Sequence, residues 1–254
     1  MRQLISFEGK KIIIFGASSG IGRMTAITLS ELGALLVLVA RREEELEKTR
    51  KLCDGELHKV VRFDVTDIDG IGKCIEKIVD EFGKMDGMVY TVGINEEAPL
   101  GNVDYKRLQK MFNSNYFAFV ECVRQMTKRK RYNEGFRIVS VSSVSAILGE
   151  KCLCAYAGTK AAMDGSVRVM AKELASKGIC INTVAPGMTN TEMVEELVTF
   201  MEDNGDSYKR VMDRQYLGMI STENVANAIC FLLSSAAGQI TGVTLPVDGG
   251  YTSS

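Results

Sequence analysis

The segment Lys11-Ile-Ile-Ile-Phe15-Gly16-Ala-Ser-Ser-Gly20-Ile-Gly22 sets a short apolar run directly against a glycine-rich turn, after which a helix pattern begins at once. Three isoleucines and a phenylalanine suit a buried strand. Glycines let the backbone turn tightly, and they let an anion such as a pyrophosphate approach the N-terminus of the next helix, where unpaired N–H groups and the macrodipole favour negative charge. A glycine turn placed between a first strand and a first helix is more specific than a glycine-rich loop by itself. The bland alternative is a turn that binds nothing.

Outward from this segment the same alternation repeats. Apolar runs at 35–40, 59–63 and 87–90 are separated by amphipathic stretches at 42–52 and 68–82. In the second of these stretches Ile68, Ile71, Ile75, Ile78 and Phe82 recur at steps of three and four, which lays one apolar stripe against a sheet. Further on, the pattern predicts a long helical region at about 108–126, a strand at 137–141, a helix at about 155–176, a strand at 179–184, a helix at 222–233 and a last strand at 243–247. About 30 residues after Pro186 read as helical and mobile. Strands alternating with helices imply a parallel sheet. The chain holds only three prolines, and no low-complexity run, internal repeat or linker interrupts it. The expectation is an α/β fold: one doubly wound Rossmann domain over residues 1–254, with a seven-stranded parallel sheet and helices on both faces.

At 254 residues, 46% apolar and 25% charged, the chain is long enough for a sizeable core without disulfides or a structural metal. A net charge of −1 argues against nucleic acid as the main partner. The longest strongly apolar stretch, 34–40, is far short of the roughly 18 residues a membrane helix needs, and residues 1–10 lack a signal-peptide core. A cytoplasmic protein with no membrane partner is expected. The seven cysteines are odd in number and form no Cys-x-x-Cys pair, so they read as reduced thiols. Cys152 and Cys154 are close enough to suggest a metal, but the single histidine, His58, is far away in sequence, and no metal site is expected.

Two further features bear on a nucleotide. The second strand ends in Arg41-Arg42, where an acid would commonly take the ribose hydroxyls of NAD(H); two guanidiniums suit the 2′-phosphate of NADP(H) instead. The competing reading is that they merely begin an exposed helix ahead of Glu43–Glu45. Asp64, ending the third strand, is placed either to accept from an adenine amino group or to form a turn. Gly16-x-Ser18-x-Gly20 also spells the nucleophile elbow of a serine hydrolase, but that chemistry needs a late histidine, and only His58, directly before a strand, is present.

Tyr156 and Lys160 lie four apart in a helix pattern whose buried face is marked by Met163, Val167, Met170 and Leu174, so both project from one side. Ser143 ends a strand 13 residues earlier, Asn115 lies in a helix before that, and Pro186-Gly187 follows the next strand. All fall at the carboxyl edge of the expected sheet, where ligands bind.

Together, the glycine turn 16–22, Asp64-Val65, Asn115, Ser143, Tyr156-x-x-x-Lys160, Asn182-x-x-x-Pro186-Gly187 with Thr191, and Val247-Asp248-Gly249-Gly250 resemble the short-chain dehydrogenase/reductase family over essentially the whole chain, most closely its 3-oxoacyl-(acyl-carrier-protein) reductase-like branch. The resemblance implies an oxidoreductase that moves a hydride between NADP(H) and a carbonyl or secondary alcohol. It implies a catalytic set of Asn115, Ser143, Tyr156 and Lys160, in which Tyr156 is the acid or base, Lys160 lowers the phenol's pKa and holds the ribose, Ser143 bonds the substrate oxygen, and Asn115 holds a water. It implies a cofactor site of Gly16, Ser18, Ser19, Gly20, Ile21, Gly22, Arg41, Arg42, Asp64, Val65, Thr91, Gly93, Tyr156, Lys160, Pro186, Gly187, Thr189 and Thr191.

A 3-oxoacyl thioester on acyl carrier protein or coenzyme A, or another ketone such as a steroid, quinone or sugar, would be the substrate. A homotetramer built on the helices near 105–130 and 155–176 is also implied. Residues 188–217 are the expected substrate lid, with Val194, Leu197, Val198 and Met201 as its apolar stripe. Lys128-Arg-Lys-Arg131 is read either as a helix-capping run or as a contact for an acidic carrier. One departure stands out: the family's common Asn-Asn-Ala-Gly after the fourth strand is Tyr90-Thr91-Val92-Gly93 here. A nucleotide-sensing protein that keeps the fold without turnover is the alternative function.

Overall fold

Seven parallel strands in the order β3-β2-β1-β4-β5-β6-β7 form the centre of the computed structural model, which describes residues 5–192, 194 and 207–253. The strands are β1 (Lys11–Phe15), β2 (Leu35–Ala40), β3 (Lys59–Arg62), β4 (Met85–Tyr90), β5 (Tyr132–Val141), β6 (Cys180–Pro186) and β7 (Thr244–Val247). The helices are α1 (Gly20–Glu31), α2 (Glu43–Leu52), α3 (Ile71–Phe82), α4 (Tyr105–Phe112), α5 (Ala118–Met126), α6 (Cys154–Ala175), α7 (Ser207–Arg214) and α8 (Thr222–Leu233).

Alternation along the strands supplies two separate apolar layers. Ile13, Phe15, Val37, Val39, Met88, Tyr90 and Ile138 pack on one face with Ile71, Ile75 and Ile78 of α3, Phe119, Cys122 and Met126 of α5, and Met163 and Val167 of α6. Ile12, Ile14, Leu36, Leu38, Val89, Val139 and Val184 pack on the other with Ala26 and Leu29 of α1 and Val225 and Ile229 of α8. A sheet covered on both faces is why these strands read as continuous apolar runs. The order reverses at β1, whose neighbours are β2 and β4, and this opens a crevice beyond their carboxyl ends. Both outer strands are short: β7 carries Pro246, and β3 begins and ends with the exposed Lys59 and Arg62.

The single histidine is part of this frame. His58 Nδ1 accepts from the Leu36 N–H at 3.2 Å, so its Nε2 carries the proton and donates to the Asp54 carbonyl at 2.6 Å. Both ring nitrogens are used on the backbone, which removes the imidazole a serine hydrolase would need.

Three elements differ from the periodicity. β5 starts at Tyr132 rather than 137, joined to β4 through a register irregularity between Met85 and Gly87. α3 starts at Ile71 rather than 68, because Asp64 and Asp67 form turns that use the chain up to Gly70. The long helix expected at 108–126 is divided by a π turn, Asn113–Phe117, between α4 and α5. Of the expected lid stripe, Leu197, Val198 and Met201 lie outside the described residues. Among the described residues no helix is long and apolar enough to cross a membrane.

Candidate active site

The glycine turn is shaped by close approach. Gly16 has φ +93°, and a Cβ there would lie 2.5 Å from Thr91 Oγ1 and 2.9 Å from the Val92 nitrogen. A Cβ on Gly22 would overlap the Gly16 carbonyl oxygen. Thr91 sits between these glycines with its hydroxyl donating to the Phe15 carbonyl at 2.9 Å. The N-terminus of α1 has no side-chain cap and no acid in its first turn. Its unpaired N–H groups therefore suit an anion. The hydroxyl of Ser19, the N-cap residue, accepts from Arg42 at 3.0 Å, and Ser18 Oγ lies 3.4 Å from the same nitrogen.

Arg42 thus anchors at the rim of the turn, while Arg41 is two-thirds exposed and lies 3.8 Å from Asp64. Asp64 Oδ1 accepts from the Thr66 N–H at 2.9 Å and from its hydroxyl at 2.8 Å, so the residue does form the turn. Its other oxygen faces Arg41.

At the opposite end, α6 presents Tyr156 and Lys160. Lys160 is buried, its Nζ donates to the Val141 carbonyl at 2.7 Å, and it stands 5.5 Å from the centre of the Tyr156 ring. A Cβ on Gly93 would lie 3.3 Å from that nitrogen. This explains why the glycine survives in a segment otherwise changed. Burial pushes the Lys160 ammonium down to about 8, and Asp164 opposes the shift. Burial also pushes the Tyr156 phenol up, opposed by its hydrogen bond with Ser143.

Asn115 lies in the π turn, where its Oδ1 accepts from the Ile94 N–H at 2.8 Å and its Nδ2 donates to the Ile94 carbonyl at 2.9 Å and to Thr159 Oγ1 at 3.1 Å. Tyr90, the first residue of the departure, packs between Phe15 and Phe119 and donates to the Ser114 carbonyl at 2.6 Å. The unusual tyrosine therefore ties β4 to the turn that carries Asn115. Ser143 caps a short 3₁₀ turn, accepting from the Ser145 N–H at 3.1 Å.

A family model described as enoyl-(acyl carrier protein) reductase matches residues 16–252. The chain belongs to the short-chain dehydrogenase/reductase family. The protein is 33% identical to a cis-4-hydroxycyclohexanecarboxylate dehydrogenase of Sinomonas cyclohexanicum over 97% of this chain and 98% of the relative. It is 32% identical, with the same coverage, to the 3-oxoacyl-(acyl-carrier-protein) reductase of Escherichia coli strain K12. Among solved structures, NADP-bound ElxO superimposes with a TM-score of 0.86 at 30% identity, covering 97% of this chain and 100% of that one.

In this short-chain dehydrogenase/reductase one open cleft of about 390 Å³ runs from Arg41 and Arg42, past the glycine turn, to Tyr156 and Lys160. Gly16, Ser18, Ser19, Gly20, Ile21, Gly22, Asp64, Val65, Thr91, Gly93 and Thr191 also line it. Pro186, Gly187 and Thr189 do not. Gly187 is backed by Gln215 and Asp248, and Thr189 is buried with its hydroxyl donating to the Gly187 carbonyl at 3.0 Å. Asn115 and Ser143 are also outside the lining, the first turned toward Ile94 and Thr159, the second toward Ser145. Ala40, Phe63, Thr66, Val92, Ile94, Ser114, Val141 and Glu192 also line the cleft and were not among the expected site residues. All but Val141 adjoin a motif residue in sequence, and Val141 lies two residues before Ser143; that proximity was the available signal. Among the described residues no cluster of three or more His, Cys, Asp or Glu side chains could hold a metal ion.

Proposed function

We propose that this protein is an NADP(H)-dependent carbonyl reductase or alcohol dehydrogenase, acting mainly in ketone reduction. The observation that carries the reading is the cleft itself: two guanidiniums at one mouth, an uncapped helix N-terminus between, and a phenol beside a buried ammonium at the far end. Arg41 and Arg42 favour NADP(H) over NAD(H), and the likeness to NADP-bound ElxO supports that preference. The cradle also fits a dinucleotide sterically, since the glycines leave open the space that side chains at 16 and 22 would fill.

The cofactor supplies the hydride. Tyr156 gives its proton to the carbonyl oxygen as negative charge develops there, and Ser143 donates a hydrogen bond to the same oxygen. The Lys160 cation steadies the phenolate that remains and holds the cofactor's ribose. Asn115 fixes the Ile94 backbone at the cleft and is the residue that would hold the relay water. Burial that keeps Tyr156 protonated suits the reducing direction, where the phenol acts as an acid.

The substrate is a small-molecule ketone, of which a 3-oxoacyl thioester on acyl carrier protein or coenzyme A is one candidate class, and a steroid, quinone or sugar another. Relatives that act on 3-oxoacyl carrier-protein and cyclohexanecarboxylate substrates support both a linear and a cyclic ketone. We place residues 1–254 in one domain with 188–217 as its substrate lid, in the cytoplasm, as a homotetramer. The exposed Tyr105, Phe117 and Val169 on the helices expected at the tetramer contact support that assembly.

Fluorescence titration with NADPH and NADH, followed by a ketone panel in the same samples, tests the reading. Tighter NADPH binding and its oxidation on at least one ketone are expected. Failure to bind either nucleotide would overturn the function, and a preference for NADH would overturn the cofactor.

A further inference from the structure

Asp164 is a buried carboxylate that the chemistry above does not use, one turn along α6 from Lys160. Its Oδ2 accepts from the Ser142 hydroxyl and its Oδ1 from the Thr183 hydroxyl, each at 2.9 Å. Thr183 and Thr244 are register partners across β6 and β7, with their hydroxyl oxygens 2.9 Å apart. Hydroxyls from just after β5, from within β6 and from the start of β7 thus gather at one carboxylate. Burial pushes the Asp164 carboxyl up from its ordinary value, and the hydroxyl donors together with Lys160 oppose that shift.

The placement is specific. Lys160 donates to the carbonyl of Val141, Asp164 accepts from Ser142, and the next residue is Ser143. Two side chains one helical turn apart therefore grip two consecutive residues, and the third is Ser143.

We infer that Asp164 is a positioning residue for the catalytic group: its buried carboxylate, one helical turn from Lys160, is the countercharge of that cation and fixes the segment that carries Ser143. This rests on the reductase reading of the same cleft. The groups facing Lys160 are the Tyr156 ring from α6, the Val141 carbonyl from β5, and the uncharged Gly93 and Asn115 from beyond β4 and from the π turn. Asp164 is the charged group that acts on it. Asp164 in turn meets Ser142, Thr183 and Thr244 from β5, β6 and β7, with Lys160 as its countercharge. Burial disfavours both charges, and each charge restores the other. Raising the pH through about 8 removes the ammonium, so ketone reduction declines there. Loss of the anion moves that decline to lower pH.

The test compares Asp164→Asn and Ser142→Ala in the full chain. Lysine-selective NMR follows the Lys160 midpoint without any need for turnover, and kcat/KM for NADPH-driven ketone reduction is profiled against pH. In Asp164→Asn both the midpoint and the descending limb should move about one pH unit or more toward acid. Ser142→Ala keeps the charge and loses a tether, so kcat should fall roughly three- to tenfold with the limb unmoved. An unmoved Lys160 midpoint in folded Asp164→Asn overturns the inference. Asp164→Ser, also neutral, replaces the amide variant if that does not fold, and failure of both to fold assigns Asp164 to the fold alone and overturns it too. A moved midpoint in a protein that reduces no ketone supports the coupling while refuting the reductase reading, so the two failures are distinguishable.

Discussion

The two ends of the cleft are built on opposite principles. At the proposed nucleotide end the cleft offers backbone shape plus exposed charge: glycines packed against Thr91, and Arg41 and Asp64 paired loosely at the rim. At the catalytic end, Asn115, Ser143, Lys160 and Asp164 are all buried, and their bonds run to backbone and to neighbouring hydroxyls. Exposed charges are screened by solvent and salt, whereas a buried polar group keeps nearly its full strength and leaves an unpaired partner when removed. On the proposed function, chemistry sits where water is scarce, and cofactor choice sits where substitution is mild.

That contrast can be broken at either end. The largest effect should come from Tyr156→Phe, with kcat falling about 10²- to 10⁴-fold while NADPH binding, read by fluorescence, changes little. Full turnover by this variant would remove the phenol from the mechanism. Gly22→Ala tests shape at the nucleotide end. The added methyl meets the Gly16 carbonyl, so stability should drop by about 1–3 kcal/mol, Tm by several degrees, and NADPH affinity with them. An unchanged melting curve would mean the turn is looser than its packing indicates. Arg41→Ala should have the smallest effect, weakening NADPH about tenfold and NADH hardly at all, with the difference shrinking at high salt. Equal losses for both nucleotides would sink the 2′-phosphate assignment.

The same division governs what the sequence made legible. Strands buried on both faces were readable as apolar runs, and α8 starts and ends where its periodicity places it, with Ser221 accepting from the Asn224 N–H at 3.1 Å as its cap. Glycine turn, arginine pair and the Tyr156/Lys160 spacing are local patterns, and all of these residues line one cleft. The π turn was not readable, because it is coupled to distant contacts: Asn115 on Ile94, and Tyr90 on the Ser114 carbonyl. Periodicity sees 108–126 as one helix. Asp164 was invisible for a similar reason, since its partners come from three different strands and no spacing joins them. The expectation that Asn115 serves the proton relay gave no hint that its side chain would be occupied in clasping a loop.

The outer strands carry a last consequence. Pro246 has no N–H to offer beyond β7, and Lys59 and Arg62 set charge at both ends of the four-residue β3. Neither border of the sheet is a good template for another molecule's backbone. Concentrated or partly unfolded samples should resist growth into cross-β fibrils seeded from the native sheet.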